Sequence, residues 1–324
     1  MGRDTAESCR PLTGEAARRY VEERLGCRME VLRLFPKFFC IDPTSLCNAR
    51  CIMCGVDPRK RKKMWMPDDM FDKIVAELSG YSDHIERVGL FVIGEPLLDP
   101  KLEEKIEKLK KAGIKCTYLN SNASLLFPER AERLIRAGLD RIHISIDSLK
   151  PERYESIRRG LKFDDVYNNT LEFIRLRNKL KPELVIRIQM ILQEINLDEV
   201  ESFQAHWRGK VGPNDQVVVP RVFNWGNVQD AMRFESRQAA NRIPCIALWS
   251  TLEAMANGDV HLCCVDVEGA VKLGNVRDRT IAEIWRGPEL ERIRQLHLSG
   301  DRSKIAICDG CTVWPEHKHE GKPP

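Results

Sequence analysis

Short runs of β-branched and aromatic residues alternate with longer segments of helical periodicity from about Lys37 to Val222. Within the longer segments apolar residues recur every three or four positions, as at Met70, Ile74 and Leu78. This alternation predicts repeated βα units around a parallel sheet. The predicted strands are Lys37–Ile41, Val88–Val92, Lys115–Leu119, Arg141–Ile146, Val185–Leu192 and Gln216–Val219. Six strands suffice for a partial (β/α)6 barrel, a TIM-like α/β fold.

The pattern changes on both sides of this region. Residues 1–36 are mostly polar, with one predicted helix over Glu15 to Leu25, and we interpret them as a lead-in to the barrel. From Cys245 onward the sequence predicts a small β-rich unit holding cysteines, then a helix near Ile281 to Leu298 and a polar tail. The predicted domains are therefore 1–36, 37–235, 236–315 and the tail 316–324.

Composition narrows the class of protein. The chain has 324 residues, and its 43% hydrophobic content suits an ordinary packed core. A net charge of +4 gives no strong attraction to nucleic acid or to an anionic membrane. Apolar runs are of strand length, and the N-terminus lacks a secretory pattern, so we expect a cytoplasmic protein with no membrane span. Twelve cysteines in a reducing compartment point to metal ligation rather than to disulfides.

Three of these cysteines, Cys47, Cys51 and Cys54, share one short loop directly after the first predicted strand. Three thiolates can hold three corners of a four-iron cluster and leave one iron open to a chelating ligand. The alternative is a zinc knuckle, although structural zinc normally takes four protein ligands.

The Cys-x₃-Cys-x₂-Cys loop after a first strand resembles the hallmark of the radical S-adenosylmethionine (radical SAM) superfamily. The element Ile93-Gly94-Glu95-Pro96 is similar to the Gly-Gly-Glu-Pro element that contacts the cofactor's methionine amino group in that family, with Ile93 in place of the first glycine. The resemblance implies an oxygen-sensitive 4Fe–4S cluster and reductive cleavage of S-adenosylmethionine to a 5′-deoxyadenosyl radical. Polar residues at the later strand ends could equally be turn formers. The residues expected to contact the cofactor are Met53, Gly94, Glu95, Pro96, Ser121, Asn122, Ser145, Asp147 and Gln189.

The C-terminal cysteines resemble the SPASM/Twitch auxiliary-cluster domain of the same superfamily. There are enough of them for one auxiliary 4Fe–4S cluster, which favours the shorter, Twitch-like version. Cys263 is preferred to Cys264 because of its spacing from Gly258. A zinc site with the same four thiolates remains an alternative. The expected ligands are Cys245, Cys263, Cys308 and Cys311.

A fully ligated second cluster is suited to carrying electrons, so the first hypothesis is an oxidoreductase that dehydrogenates a small polyol, sugar or aminocyclitol. A peptide-modifying maturase or an epimerase is the second, and a non-catalytic iron–sulfur carrier or zinc-binding module the third. We expect a flavodoxin- or ferredoxin-type reductant and a small-molecule or peptide substrate. The sequence identifies no catalytic acid or base. Candidate substrate contacts are Arg187, Gln189, Arg221, Asn224, Trp225, His261 and Asp266.

Overall fold

This computed structural model describes residues 10–57, 62–222, 225, 241–311 and 313. Contacts divide the chain into two compact units. The barrel unit consists of residues 38–222 with 254–258. The second unit consists of the described parts of segments 1–37, 223–253 and 259–324.

The barrel unit is built on six parallel strands that neighbour one another in chain order. The five adjacent pairs are all parallel, which confirms the predicted α/β fold. A separate antiparallel pair, which the sequence did not predict, joins Arg50–Cys51 (β2) to Arg158–Arg159 (β6). The parallel strands are β1 (Phe38–Ile41), β3 (Arg87–Gly89), β4 (Thr117–Ser121), β5 (Arg141–Ser145), β7 (Val185–Gln189) and β8 (Gln216–Val218).

The helices between these strands cover one face of the sheet. Parallel neighbours in chain order, joined by right-handed crossovers, place their helices on the same side. That outer face carries buried aliphatic residues such as Val88, Ile142 and Ile186. The opposite, inner face carries half-buried polar residues such as His143 and Arg187. The helices are α3 (Asp68–Ser79), α4 (Leu102–Lys111), α5 (Pro128–Arg136), α6 (Pro151–Ile157), α7 (Phe163–Leu180) and α8 (Val200–Arg208).

Two strands end three residues earlier than predicted, whereas the ends of β5 and β8 differ from the prediction by one residue. β3 ends at Gly89 rather than at Val92, because the N–H groups of Val92, Ile93 and Gly94 donate to Asp42 Oδ1 instead of to a neighbouring strand. β7 ends at Gln189 rather than at residue 192, and the N–H of residue 191 donates to a carboxylate at the end of β5.

The second unit combines the N-terminal segment with the cysteine-rich part of the chain. Helices α1 (Gly14–Leu25) and α2 (Met29–Leu32) pack here, where Trp285 Nε1 donates to the Leu32 carbonyl at 3.1 Å. The N-terminal segment therefore packs against other parts of this unit. The domain limits given by the sequence stay a prediction. Its strands are β9 (Thr251–Ala254), β10 (Asp259–His261) and β11 (Lys272–Asn275), and β10 and β11 are antiparallel.

The helix predicted near Ile281 to Leu298 is two helices. α9 (Ile281–Trp285) begins with a capping box between Thr280 and Glu283. α10 (Pro288–Leu298) starts with proline, which lacks an N–H and has φ preset for the first helical position. In the described part of the chain, no helix has both the length and the apolar character that a bilayer crossing requires.

Candidate functional site

The three-cysteine loop lies at the carboxyl end of β1, in the barrel unit. Cys47 is exposed, and Cys51 and Cys54 are half-buried. Cys51 belongs to β2, whose pairing with β6 sets it opposite Arg158. Met53, between the second and third cysteines, is buried. One thiol is therefore open to solvent while the other two are partly shielded.

The turn after β3 is tied to the cysteine loop through its backbone. The Glu95 N–H donates to the Leu46 carbonyl at 2.7 Å. Gly94 approaches the loop so closely that a Cβ atom on it would lie 1.8 Å from the Thr44 carbonyl oxygen. Only glycine fits there without a movement of the backbone. The glycine of the Gly-Glu-Pro element is thus a packing requirement of this turn.

Glu95 is the buried carboxylate of this region. It accepts hydrogen bonds from Ser121 Oγ at 2.7 Å, from the Asn122 N–H at 2.8 Å and from the Leu97 N–H at 3.1 Å. Burial raises the pKa of Glu95, and the three hydrogen bonds oppose that rise. Pro96 begins the 3₁₀ turn that follows. The carboxylate is held in one place by the end of β4.

A short polar chain continues from Glu95 to the cysteine loop. Asn122 Nδ2 donates to Asn48 Oδ1 at 2.9 Å, and Asn48 Nδ2 donates to Ser124 Oγ at 2.8 Å. Asn48 follows Cys47 directly. The structure therefore brings the cysteine loop, the turn after β3 and the end of β4 together, since the carboxyl ends of neighbouring parallel strands meet at one edge of the sheet.

Asp147, at the end of β5, is fully buried and forms an ion pair with Arg158, with Nε 2.6 Å from Oδ2. Arg158 Nη1 lies 3.8 Å from Cys51 Sγ. Burial raises the pKa of Cys51, and the Arg158 charge opposes this effect. Arg158 belongs to the two-residue strand β6, which is too short to give a periodic signal in the sequence.

Ser145 and Gln189 lie on the inner face at the ends of β5 and β7. Gln189 Nε2 donates to Ser145 Oγ at 3.1 Å, and Ser145 Oγ is 3.5 Å from Asn120 Oδ1. Of the other predicted substrate contacts on this unit, Arg187 is half-buried on the inner face and Arg221 is exposed. Asn224 lies outside the described residues, and Trp225 is half-buried in a turn.

Five cysteines of the second unit lie close enough to influence one another. Burial raises the pKa of the Cys263 thiol well above its usual value, and the neighbouring Cys264, Cys311, Cys245 and Cys308 raise it further. Burial likewise raises the pKa of Cys245 to about 12. Deprotonated together, these thiols would repel one another in a poorly solvated site. A bound cationic centre would offset that repulsion, so the donor set fits an iron–sulfur cluster.

Arg302 holds the backbone around the last two cysteines. Its guanidinium is buried and donates to the carbonyls of Cys308 and Cys311 at 2.8 and 3.0 Å. Cys263 and Cys264 are both half-buried and lie in the same group of cysteines. Both therefore remain candidate ligands of the auxiliary cluster. Within the described ranges, no three His, Cys, Asp or Glu side chains are grouped so as to hold a single metal ion.

His261 and Asp266, two predicted substrate contacts, bond within their own loop. His261 Nδ1 lies 2.8 Å from the Asp266 carbonyl oxygen. The Asp266 carboxylate accepts from the N–H groups of Ala270 and Val271 at 2.7 and 2.9 Å. These bonds give both residues a part in shaping the loop after β10.

Comparisons with known proteins agree with these two sets of cysteines. The model of the radical SAM superfamily matches residues 41–204, and that of SPASM, an iron–sulfur cluster-binding domain, matches residues 245–312. A GTP 3′,8-cyclase of Alkaliphilus oremlandii (strain OhILAs) is 34% identical over 169 residues, which are 50% of this chain and 50% of that protein. The chain spans about half the length of the curated relatives it matches.

Two solved structures share the fold over most of the chain. BtrN in complex with AdoMet and 2-DOIA has a TM-score of 0.60 at 20% identity, covering 86% of this chain and 93% of BtrN. Streptococcus suis SuiB bound to its precursor peptide SuiA has a TM-score of 0.59 at 16% identity, covering 87% of this chain and 73% of SuiB. At these identities the likeness is one of fold.

Proposed function

The chain belongs to the radical SAM superfamily and carries a SPASM domain, as its motifs predicted, and from this premise we propose that Cys47, Cys51 and Cys54 hold the cluster that binds S-adenosylmethionine. The cofactors of the two domains are S-adenosylmethionine with a 4Fe–4S cluster and an auxiliary iron–sulfur cluster. When bound, they supply a 5′-deoxyadenosyl radical after one-electron reduction and a second centre that can accept an electron.

The observation that carries this proposal is the polar chain from Glu95 through Asn122 to Asn48. It fixes a buried carboxylate beside the cysteine loop, where a ligand that bears an ammonium group would find a counter-charge. Gly94 brings this carboxylate close by allowing the turn to approach the loop. We propose that Glu95 orients the cofactor's amino group and that Ser121 orients Glu95.

The remaining predicted contacts receive separate roles. We propose that Met53 packs beside the cofactor and that Ser145 and Gln189 face the substrate from the inner face. Asp147 already pairs with Arg158, so we propose that it positions the guanidinium beside Cys51. Pro96 starts the turn that follows Glu95.

For the auxiliary cluster we propose Cys245, Cys263, Cys308 and Cys311 as ligands. Their mutual electrostatic influence and the buried Arg302 beneath two of them support this assignment. Cys264 stays the alternative to Cys263.

The test is cleavage of S-adenosylmethionine under anoxia. Protein reconstituted with iron and sulfide, then given dithionite in place of the proposed flavodoxin- or ferredoxin-type reductant, should form 5′-deoxyadenosine. Replacement of Cys51 by Ala should abolish this product. Cys27→Ala, which changes a half-buried cysteine of the second unit, is the matched control and should retain it. Cleavage at the wild-type rate by the Cys51 variant would contradict the proposal. If neither the wild type nor any variant formed 5′-deoxyadenosine, a non-catalytic carrier would be favoured.

The reaction we propose is dehydrogenation of a small polyol, sugar or aminocyclitol, in an oxidoreductase. The substrate gives up a hydrogen atom from a carbinol carbon, then an electron and the hydroxyl proton, and leaves as a ketone. The auxiliary cysteines support this choice, because they provide for one electron acceptor in addition to the radical-generating cluster. The expected stoichiometry is one 5′-deoxyadenosine per ketone, with no added oxidant.

A second candidate follows from the curated relatives. Their name, GTP 3′,8-cyclase, supports a radical rearrangement of a purine nucleotide as the alternative. Parallel anaerobic incubations with an aminocyclitol and with GTP, analysed by liquid chromatography with mass spectrometry, separate the two: a product lighter by two hydrogens favours dehydrogenation, whereas an isomer of GTP with a new retention time favours cyclisation. Peptide modification would leave both substrates unchanged, and epimerisation would give an isomer of the aminocyclitol.

A further inference from the structure

A group of cationic side chains lies on the inner face of the barrel unit, apart from the cysteine loop. Arg87, Arg141 and Arg187 extend from β3, β5 and β7, and His143 lies among them. His143 pairs with Arg187 in the register of β5 and β7. Arg141 lies two residues before His143 on the same face, about 7 Å along the strand. We call these four residues the inner-face basic cluster.

The cluster keeps part of its surface exposed to solvent. Its four members are all half-buried, whereas alternate residues of the same strands, such as Ile142 and Ile186, are fully buried against the helices. Tyr118 lines the same face, with its ring centroid 5.8 Å from that of His143. Because side chains alternate between the two faces of a strand, the polar set shares one accessible surface.

Two arginines of the cluster, Arg87 and Arg141, carry charges that no described carboxylate offsets. In the part of the chain that the structure describes, Arg87 and Arg141 form no ion pair, and Arg87 stacks instead on the rings of Phe38 and Tyr118 at 4.5 and 5.7 Å. Two other well-buried arginines of this unit each have a carboxylate partner: Arg158 pairs with Asp147 and Arg177 with Asp215.

His143 reflects the same excess of positive charge. Its Nε2 atom is buried and has no hydrogen-bond partner among the described residues. Burial, and then the charges of Arg187, Arg141 and Arg87, hold the pKa of His143 well below its usual value. A neutral imidazole beside guanidinium groups retains a donor or acceptor for a ligand that brings negative charge.

We propose that the inner-face basic cluster binds a phosphate group of the substrate, an inference that rests on the proposed function of this unit. Two or more guanidinium groups suit a dianionic phosphate with several acceptor oxygens better than a carboxylate with a single charge. The rest of the substrate would then face Asn120, Ser145 and Gln189, which lie on the same face nearer the carboxyl ends of the strands. These neutral side chains suit hydroxyl groups. The substrate class is therefore a phosphate ester of a polyol, a sugar or a nucleoside.

The experiment is equilibrium dialysis of the reconstituted holoenzyme with radiolabelled inorganic phosphate in a buffer free of other oxyanions. We expect one saturable site per chain. Arg141→Gln and Arg187→Gln should each weaken binding about tenfold or more, the usual loss for a hydrogen bond to a charged group. Arg175→Gln removes an exposed arginine of α7 that pairs with Glu172, and it should bind phosphate like the wild type. Circular dichroism and cluster absorption confirm that each variant is folded.

The outcomes separate this inference from the proposed function. If wild-type protein forms 5′-deoxyadenosine but shows no saturable phosphate site, the phosphate inference is wrong and the radical SAM assignment stands. Equal binding by Arg141→Gln, Arg187→Gln and Arg175→Gln would place phosphate elsewhere and overturn the inference. Succinate that displaces phosphate at equal concentration would replace phosphate by a carboxylate and overturn it too. Phosphate binding without 5′-deoxyadenosine would support the inference and contradict the function.

Discussion

Replacing Gly94 by Ala tests the packing that holds Glu95 beside the cysteine loop. The new Cβ atom would lie 1.8 Å from the Thr44 carbonyl oxygen and 2.8 Å from the Leu46 carbonyl oxygen. Real Cβ atoms essentially never approach within 3.0 Å, so the backbone must move by at least 1.2 Å at the closer contact. Both clashing atoms belong to the backbone, and no side-chain rotation can relieve them.

The cost can be worked out from the bonds at this turn. Steric overpacking in a rigid site costs about 1–3 kcal/mol. A movement of this size would also break the bond from the Gly94 N–H to Asp42 Oδ1, now 3.2 Å long, at about 1.5–3 kcal/mol for a charged acceptor. We therefore expect a loss of about 4 kcal/mol, which for a unit of this size lowers Tm by roughly 10 °C.

The assay is thermal unfolding followed by circular dichroism, together with equilibrium binding of S-adenosylmethionine to the reconstituted protein. Gly80→Ala is the matched control, because a Cβ there would lie 3.4 Å from its nearest neighbour, an ordinary contact, and the residue has helical φ and ψ. It should change stability by no more than about 1 kcal/mol. A Gly94→Ala protein with unchanged Tm and cofactor affinity would show that this turn tolerates a Cβ atom, contrary to the prediction.

Three further predictions follow from named contacts. Arg158→Gln should destabilise the protein by about 3–5 kcal/mol in denaturant unfolding, because it leaves the buried Asp147 carboxylate without its counter-charge, and a change below about 1 kcal/mol would contradict this. Cys263→Ser should lower the iron content of reconstituted protein by about four per chain, whereas Cys264→Ser should not, and the reverse result would exchange their roles. His143 is held neutral in the folded state, so the unfolded chain takes up its proton first and stability falls as the pH drops below about 6.5. His143→Gln should flatten that acid limb in a pH series of unfolding, and an unchanged slope would show that His143 titrates normally.

Hydrophobic periodicity predicted the barrel strands because each of them buries one face against helices. The two strands that end three residues early share one feature: shortly after each strand, a carboxylate from a neighbouring strand end accepts hydrogen bonds from the backbone. Asp42 does this after β3, and Asp147 does it after β7. Such a bond joins residues about 50 positions apart, so local pattern cannot reveal it. The break at Gly287 and Pro288 was visible in the sequence, since proline commonly begins a helix.

In the candidate site, too, some residues can be recognised from the local sequence, whereas the contacts between them join positions far apart in the chain. Cys47, Cys51 and Cys54 are recognisable by spacing, and Glu95 by its place after a strand. The link between them is not, because Asn48 meets Asn122 across 74 positions of sequence. A polar residue in a loop has many possible partners, and only the parallel order of the strands selects this one.

The counter-charge of the cysteine loop shows what such distant contacts add to the chemistry. Arg158 comes from 107 positions further along the chain and reaches Cys51 through two residues of antiparallel pairing. Burial alone would favour a neutral thiol at Cys51, since it raises the pKa, and the guanidinium opposes this. The Asp147 carboxylate holds the Arg158 guanidinium in place, so Asp147 influences the Cys51 thiol indirectly, through Arg158. The local sequence thus identifies which residues are ligands. The pKa of a ligand, by contrast, depends on residues that only the fold brings beside it.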